Sequence, residues 1–97
     1  MPTDEELKAA VLILRVMSKG YGKLSENDIS YQIKNINQYI NSFDLHSALN
    51  GLSAEGFLTK IQATGRDGKP AILYQITNAG LSRYRELEQH SVSRRQS

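Results

Sequence analysis

Apolar residues recur at helical spacing through the first part of the chain. Thr3 and Glu6 have the spacing of a capping box, and apolar positions follow on nearly every side until Gly20 and Gly22 end the helix. A helix without a polar face is normally buried on more than one side. We therefore expect this helix to be covered twice, the second time by the last helix of the chain or by another copy of the protein.

The second helical segment opens with another capping signal, Ser25 followed by Asp28. Its apolar stripe consists of isoleucines: Ile29, Ile33 and Ile36. Asparagines then become frequent, and because their amides compete for backbone hydrogen bonds, a turn is predicted over residues 36–41. A second interpretation stays open, since Ile40 continues the stripe and residues 25–40 also fit one long helix.

A third helix is predicted over residues 42–55. Ser42 is the expected N-cap, and Asp44 in the first turn suits the positive end of the helix dipole. The inward face has regular helical spacing: Leu45, Ala48, Leu49 and Leu52. Gly56 occupies the position of the left-handed residue that ends many helices.

After Gly56 the pattern changes to the alternation typical of strands. Residues 57–63 and 71–77 are the predicted strands, and Asp67-Gly68 between them favours a tight turn in which both residues have positive φ. Pro70 has no amide hydrogen to donate, so it is expected at a strand start or edge. Three residues of the second strand are expected to share one face: Ile72, Tyr74 and Ile76. The segment therefore predicts a β-hairpin.

Thr77 or Asn78 is expected to cap a last helix. Its apolar residues are Leu81, Tyr84 and Leu87. From about residue 90 the chain consists of Ser, Arg and Gln with one valine, a composition typical of disorder. We therefore expect one domain over residues 1–90 and a disordered basic tail over residues 91–97.

This order of elements predicts an α+β winged helix-turn-helix, with a three-helix core, a two-stranded wing and a C-terminal helix. Residues 42–58, which read SFDLHSALNGLSAEGFL, resemble the passage from the recognition helix to the first wing strand in PadR-like regulators of bacteria and archaea. Residues 65–70 and 74–80, which read GRDGKP and YQITNAG, are similar to their wing and to the start of their final helix. The resemblance covers residues 42–88 and implies a transcriptional regulator that binds duplex DNA.

In such a fold, helix 42–55 enters the major groove, and the wing over residues 64–70 contacts the backbone or the minor groove. The side chains expected to face DNA are Ser42, Phe43, His46, Ser47 and Asn50. An asparagine can pair with adenine through both its oxygen and its nitrogen. Because this helix contains no Lys or Arg, phosphate contacts are expected from basic residues on other elements. These residues are Lys34, Lys60, Arg66 and Lys69.

Composition excludes several kinds of chemistry. The 97 residues carry a net charge of +2 and include no cysteine, so disulfides, thiolate nucleophiles and thiolate metal sites are ruled out. The two histidines, His46 and His90, do not have metal-ligand spacing. No apolar run approaches the roughly 20 residues that a membrane span needs. We expect a cytoplasmic protein with no enzymatic activity, metal or cofactor.

A homodimer is also expected. The surplus apolar face of the first helix would pair across a two-fold axis with the last helix, placing two recognition helices about 34 Å apart. The expected interface consists of Leu12, Ile13, Val16, Leu81, Tyr84 and Leu87. The lack of Lys and Arg on the recognition helix keeps an alternative open, a winged helix that binds other proteins and not DNA. Nothing in the sequence indicates a pocket for a small-molecule effector.

Overall fold

The computed structural model describes the backbone of residues 4–96 and the side chains of residues 7–89. The elements in this part of the chain are α1 (Asp4–Met17), β1 (Leu24–Ser25), α2 (Glu26–Asn35), α3 (Ser42–Ala54), β2 (Leu58–Thr64), β3 (Pro70–Ile76) and α4 (Asn78–Gln96). The α+β winged-helix order is confirmed, with the addition of β1, which the sequence pattern did not predict. Thr3, half of the capping signal expected before α1, lies outside the described residues.

Helix α2 begins and ends within the predicted segment. The Ser25 hydroxyl accepts from the Asp28 amide at 3.2 Å, and the Asp28 carboxylate accepts from the Ser25 amide at 3.3 Å, which confirms the capping box. The helix ends at Asn35, and Asn37 adopts a left-handed φ of 59°. The interpretation of residues 25–40 as one long helix is therefore wrong. Ile40 continues the apolar stripe because it packs against the core after the turn.

Helix α1 is the centre of the core of a single chain. It contacts α2, α3, α4 and β3. Leu12, Ile13 and Val16 are at most 4 % exposed because these elements surround them. The prediction that these three residues face a second copy of the protein is therefore wrong: the apolar excess of α1 is covered within one chain. On α4, Tyr84 and Leu87 are half-buried and pack against the same core.

The three strands form an antiparallel sheet in the order β1-β3-β2. Strand β1 pairs with β3 only at Leu24↔Tyr74 and Ser25↔Leu73. Strands β2 and β3 pair along seven positions, from Leu58↔Ile76 to Thr64↔Pro70. The sheet is therefore three strands wide over two residues of β3 and continues toward the wing as a two-stranded ribbon.

Strand β2 lies one residue later and β3 one residue earlier than predicted. The shift of β2 arises because Phe57 belongs to the motif that ends α3. The Phe57 amide donates to Leu52 O at 2.9 Å and the Gly56 amide donates to Ser53 O at 3.1 Å, the two bonds of a Schellman motif. Gly56 has a φ of +84°, which confirms it as the left-handed residue after the helix. Strand β2 therefore starts at Leu58.

Thr77 ties the start of α4 to this helix end. Its hydroxyl shares its proton between Gly56 O at 2.7 Å and Phe57 O at 3.1 Å, and it accepts from the Gly80 amide at 3.0 Å. The Thr77 amide also donates to Phe57 O at 3.1 Å. Of the two candidate caps for the last helix, Thr77 provides the capping oxygen. Gly80 is buried against this junction.

Helix α4 is held to α1 by a polar cluster. A single carboxylate oxygen of Glu88 accepts from the Arg15 guanidinium at 3.1 Å and from the Tyr84 hydroxyl at 2.5 Å.

Helix α4 extends to Gln96, whereas a disordered tail was predicted over residues 91–97. No Gly or Pro after Gly80 interrupts the helix. The division of the chain at residue 90 stays a prediction.

Gly80→Ala is expected to lower the free energy of unfolding by about 1–3 kcal/mol, the usual cost of overpacking. A Cβ at this position would collide with the carbonyl oxygen of Phe57 and lie 2.8 Å from Ile76 Cγ1. Urea denaturation measures the effect. Gly51→Ala is the matched control: its Cβ would meet nothing within 4 Å, and alanine favours a helix, so stability should stay equal or rise. A Gly80→Ala protein as stable as the wild type would contradict the close approach.

Stability is expected to fall as the pH rises above 10. Burial, and secondarily the negative charge of Glu26, raises the pKa of Tyr74 above its ordinary value of 10.0. A phenol that holds its proton more tightly in the folded state contributes stability below the unfolded pKa, and this contribution is lost as the pH rises through the folded pKa. Denaturation at a series of alkaline pH values should show a shallower loss for Tyr74→Phe than for the wild type; equal slopes would argue against this role.

Candidate nucleic-acid interface

The N-terminus of α3 is fixed by a reciprocal cap. Asn41 Oδ1 accepts from the Asp44 amide at 2.8 Å, and Asn41 Nδ2 donates to Asp44 Oδ2 at 2.9 Å. The N-cap is therefore Asn41, and the prediction of Ser42 in that role is wrong by one residue. Ser42 is the first residue of the helix and is exposed. This cap ends the asparagine-rich turn at a defined residue. It also fixes the rotation of α3 about its axis, and so the direction of each side chain that follows.

One face of α3 packs on the core and the opposite face is open. The predicted inward residues are all buried: Leu45, Ala48, Leu49 and Leu52. Among the predicted outward residues, Phe43 is 79 % exposed, His46 and Ser47 are exposed, and Asn50 is half-buried. The orientation of the helix is therefore as predicted, while contact between this face and DNA stays a prediction.

Two outward side chains of α3 are held by neighbouring elements. Glu26, the first residue of α2, lies 3.0 Å from His46 Nδ1 through Oε1. Lys60 on β2 donates from Nζ to Asn50 Oδ1 at 2.7 Å. Sequence reasoning selected His46, Asn50 and Lys60 but missed Glu26, because nothing local in the sequence links two residues that lie 20 positions apart. The outer face of α3 is thus partly ordered before any ligand binds.

The wing ends in a loop that exposes two cations. Gly65 and Lys69 are joined by a hydrogen bond of 2.8 Å from Gly65 N to Lys69 O, and Asp67 Oδ1 accepts from the Lys69 amide at 3.1 Å. Of the loop residues only Gly68 has a positive φ, so the expectation of positive φ at both Asp67 and Gly68 is wrong. The loop is longer than a two-residue turn and leaves the side chains of Arg66 and Lys69 exposed.

Three acidic groups near this surface are engaged by donors of the protein. Asp44 closes the cap of α3, Asp67 accepts from the wing backbone, and Glu26 contacts His46. Each carboxylate has part of its charge offset locally, which lowers its repulsion of a polyanion. Lys34 is exposed in the last turn of α2, and the described contacts do not join it to α3 or to the wing.

Two exposed aromatic rings that the sequence analysis did not select lie on the elements before α3. Tyr31 on α2 is 63 % exposed and Tyr39, in the turn before α3, is 69 % exposed. Tyrosine hydroxyls are common donors to phosphate oxygens. Both residues lie outside the apolar stripe of their segment. An aromatic residue at such a position is expected to be exposed, and this is the signal by which the two could have been found in the sequence.

Neither a metal centre nor a membrane span is found in the part of the chain that the structure describes. Within it, no three His, Cys, Asp or Glu side chains come together in a way that could hold an ion. The described helices include none with the length and apolarity to cross a bilayer.

A groove of about 350 Å³ lies between α1, α3 and α4. Its wall contains Leu7, Leu14, Leu52 and Leu87, with Glu55 and Arg83 beside them.

No protein-family model and no curated protein matches the sequence. Solved structures do match the fold. A PadR-like transcription factor from Bacteroides fragilis has a TM-score of 0.76 at 18 % identity, over 95 % of this chain and 86 % of that one. Bacillus subtilis PadR in complex with operator DNA has a TM-score of 0.70 at 22 % identity, over 80 % of this chain and 45 % of that one.

A third structure, the winged-helix DNA-binding protein F93 from STIV, has a TM-score of 0.68 at 20 % identity, over 82 % of this chain and 83 % of that one. The similarity of these three proteins to this chain is one of fold alone, since fewer than a quarter of the compared residues are identical. The chain therefore has the winged-helix fold found in transcription regulators of the PadR type.

Proposed function

We propose that this chain binds duplex DNA sequence-specifically as a transcriptional regulator, with α3 in the major groove and the wing on the backbone or in the minor groove. The observation that carries the proposal is the open polar face of α3 beside a wing whose tip exposes Arg66 and Lys69. A helix of this width fits the major groove, and cations beside it bind phosphates through counterion release. The similarity to PadR in complex with operator DNA supports the same use of the fold.

The proposal divides the work between two sets of residues. Outward side chains of α3 read base edges, whereas exposed cations on α2, β2 and the wing supply affinity that is independent of sequence. The residues assigned to α3 are Ser42, Phe43, His46, Ser47 and Asn50, and the cations are Lys34, Lys60, Arg66 and Lys69. Because α3 itself carries no cation, the affinity for DNA depends on its neighbours to an unusual degree.

The double variant Arg66→Ala and Lys69→Ala is expected to bind duplex DNA more weakly and to lower the slope of log affinity against log salt by about 2, since each lost phosphate contact removes about 1. Fluorescence anisotropy with a labelled duplex over a range of salt concentrations measures both. The control is the double variant Lys19→Ala and Arg85→Ala. It removes the same charge from the segment after α1 and from α4, and it should leave the salt slope unchanged.

Two results would count against the proposal. A wild-type protein with negligible duplex affinity at low salt would favour the alternative of a protein-binding winged helix. If both double variants lowered the slope of log affinity against log salt equally, net charge and not the wing would govern binding.

We further propose that the protein acts as a homodimer through the α1 and α4 side of the groove that lies between α1, α3 and α4, which leaves Ser47 on the α3 side to face DNA. Leu7 at the edge of this groove is 41 % exposed, and Leu87, one of the residues predicted at the interface, lines it together with Leu14. A second copy laid against the groove would cover apolar surface that one chain leaves open. It would also present two copies of α3 to successive turns of DNA, about 34 Å apart.

Leu7→Glu is expected to convert the dimer to a monomer, because the groove would have to bury a charge. Sedimentation equilibrium gives the mass in solution. Ile72→Glu is the control, since Ile72 is 48 % exposed on the wing and outside the groove, and this variant should stay dimeric. A wild-type protein with the mass of one chain, or a Leu7→Glu protein with the mass of two, would contradict this interface.

The proposed function also suggests a location. A regulator of transcription acts where the DNA is, which for relatives from bacteria means the cytoplasm. The absence of cysteine from the chain fits a reducing compartment. We propose a cytoplasmic regulator that acts by binding and performs no catalysis.

A further inference from the structure

The sheet directs Lys60 toward the reading face of α3. Leu58 and Lys60 lie two residues apart on β2, so their side chains point to the same side of the sheet. Leu58 is buried in the core on that side, and Tyr74, opposite Lys60 in the register, is buried as well. Lys60 continues this face past the edge of the core, where its Nζ reaches Asn50 Oδ1 at 2.7 Å. The contact is therefore built on a paired strand and not on a loop.

Chemistry fixes the orientation of the Asn50 amide. A lysine ammonium has three hydrogens to donate and cannot accept, so only the oxygen of the amide can face it. Asn50 Nδ2 is left on the other side of the group with two hydrogens, and no acceptor for them occurs in the described part of the chain. Lys60 is exposed and keeps two further hydrogens. Together the two side chains present several donors, and the one lone pair that Asn50 Oδ1 keeps lies beside the ammonium charge of Lys60.

This arrangement conflicts with the adenine pairing expected for an asparagine on a recognition helix. Adenine offers an acceptor at N7 and a donor at N6, so its partner must supply a donor and an acceptor together. Lys60 already occupies one lone pair of Asn50 Oδ1, and its positive charge lies beside the other, so a second donor such as adenine N6 is disfavoured there. Guanine offers two acceptors, N7 and O6, which match a partner that supplies donors alone.

We propose that Asn50 and Lys60 act as one donor unit that selects guanine over adenine at the base pair facing this part of α3. The inference rests on the proposed DNA binding and adds the base that the site prefers. Lys60 then contributes to base choice as well as to affinity, and it has two roles: it donates to the base directly, and it is a positioning residue whose hydrogen bond and charge make Asn50 Oδ1 a poor acceptor for adenine N6.

The test is selection of binding sites from a randomised duplex pool, followed by affinity measurements on single-base variants of the selected site. Asn50→Ala identifies the position, because the base preference there should disappear. At that position the wild type should prefer guanine over adenine by at least about fivefold, the lower end for a good pair of base contacts. Lys60→Met keeps the apolar stem but removes the donor, which frees Asn50 Oδ1, so the preference should move from guanine to adenine.

Lys69→Met is the matched control. It also removes one lysine ammonium, but from the wing tip, so it should weaken binding and reduce the salt slope without changing the selected base. Thermal unfolding of each variant checks that the fold is kept, as expected for substitutions at exposed or half-buried positions.

Several outcomes would overturn the inference. They are a wild-type preference for adenine at the position that depends on Asn50, a guanine preference that survives Lys60→Met, and an Asn50→Ala variant that loses affinity equally for all bases, which would mean a phosphate contact. If the wild type selects no sequence because it does not bind duplex DNA, the proposed function itself fails. The first three outcomes leave DNA binding intact, so the two failures are distinguishable.

Discussion

The arrangement of α3, the wing and α4 depends on the carbonyl oxygen of Phe57. It accepts from the amide and the hydroxyl of Thr77, and it lies against Gly80, at the point where α3 ends, β2 begins and α4 leaves the sheet. Three elements therefore share one small junction with no room for a β-carbon. Because α3 and the wing are both anchored there, their mutual angle is set by hydrogen bonds of the backbone and of the short Thr77 hydroxyl, and not by long flexible side chains.

Features that depend on neighbours in the sequence could be predicted. The capping box of Ser25 and Asp28, the left-handed Gly56 and the buried face of α3 each involve residues a few positions apart, and all are present. The errors at the boundaries have the same origin. Asn41 competes with Ser42 for the cap, and both are good capping residues, so only the reach of the oxygen to the Asp44 amide decides between them.

Features that depend on distant residues could not be predicted. Strand β1 is two residues long and exists only because it pairs with β3, almost fifty positions away. The contacts of Glu26 with His46 and of Lys60 with Asn50 join separate elements in the same way. The apolar character of α1 was visible, but its cause was not: a helix at the centre of one chain and a helix at an interface have the same pattern.

The short β1 gives the hairpin an uneven stiffness along its length. Where β1 is present, the sheet has three strands, and Lys60 lies in this braced zone, paired with Tyr74. Beyond it the ribbon has only its own ladder for support, and an isolated two-stranded ribbon is inherently weak. Bending is thus concentrated in the distal part that carries Arg66 and Lys69. In the proposed complex with DNA, the tip would follow a phosphate backbone of varying groove width while the root of the same hairpin stays in step with α3.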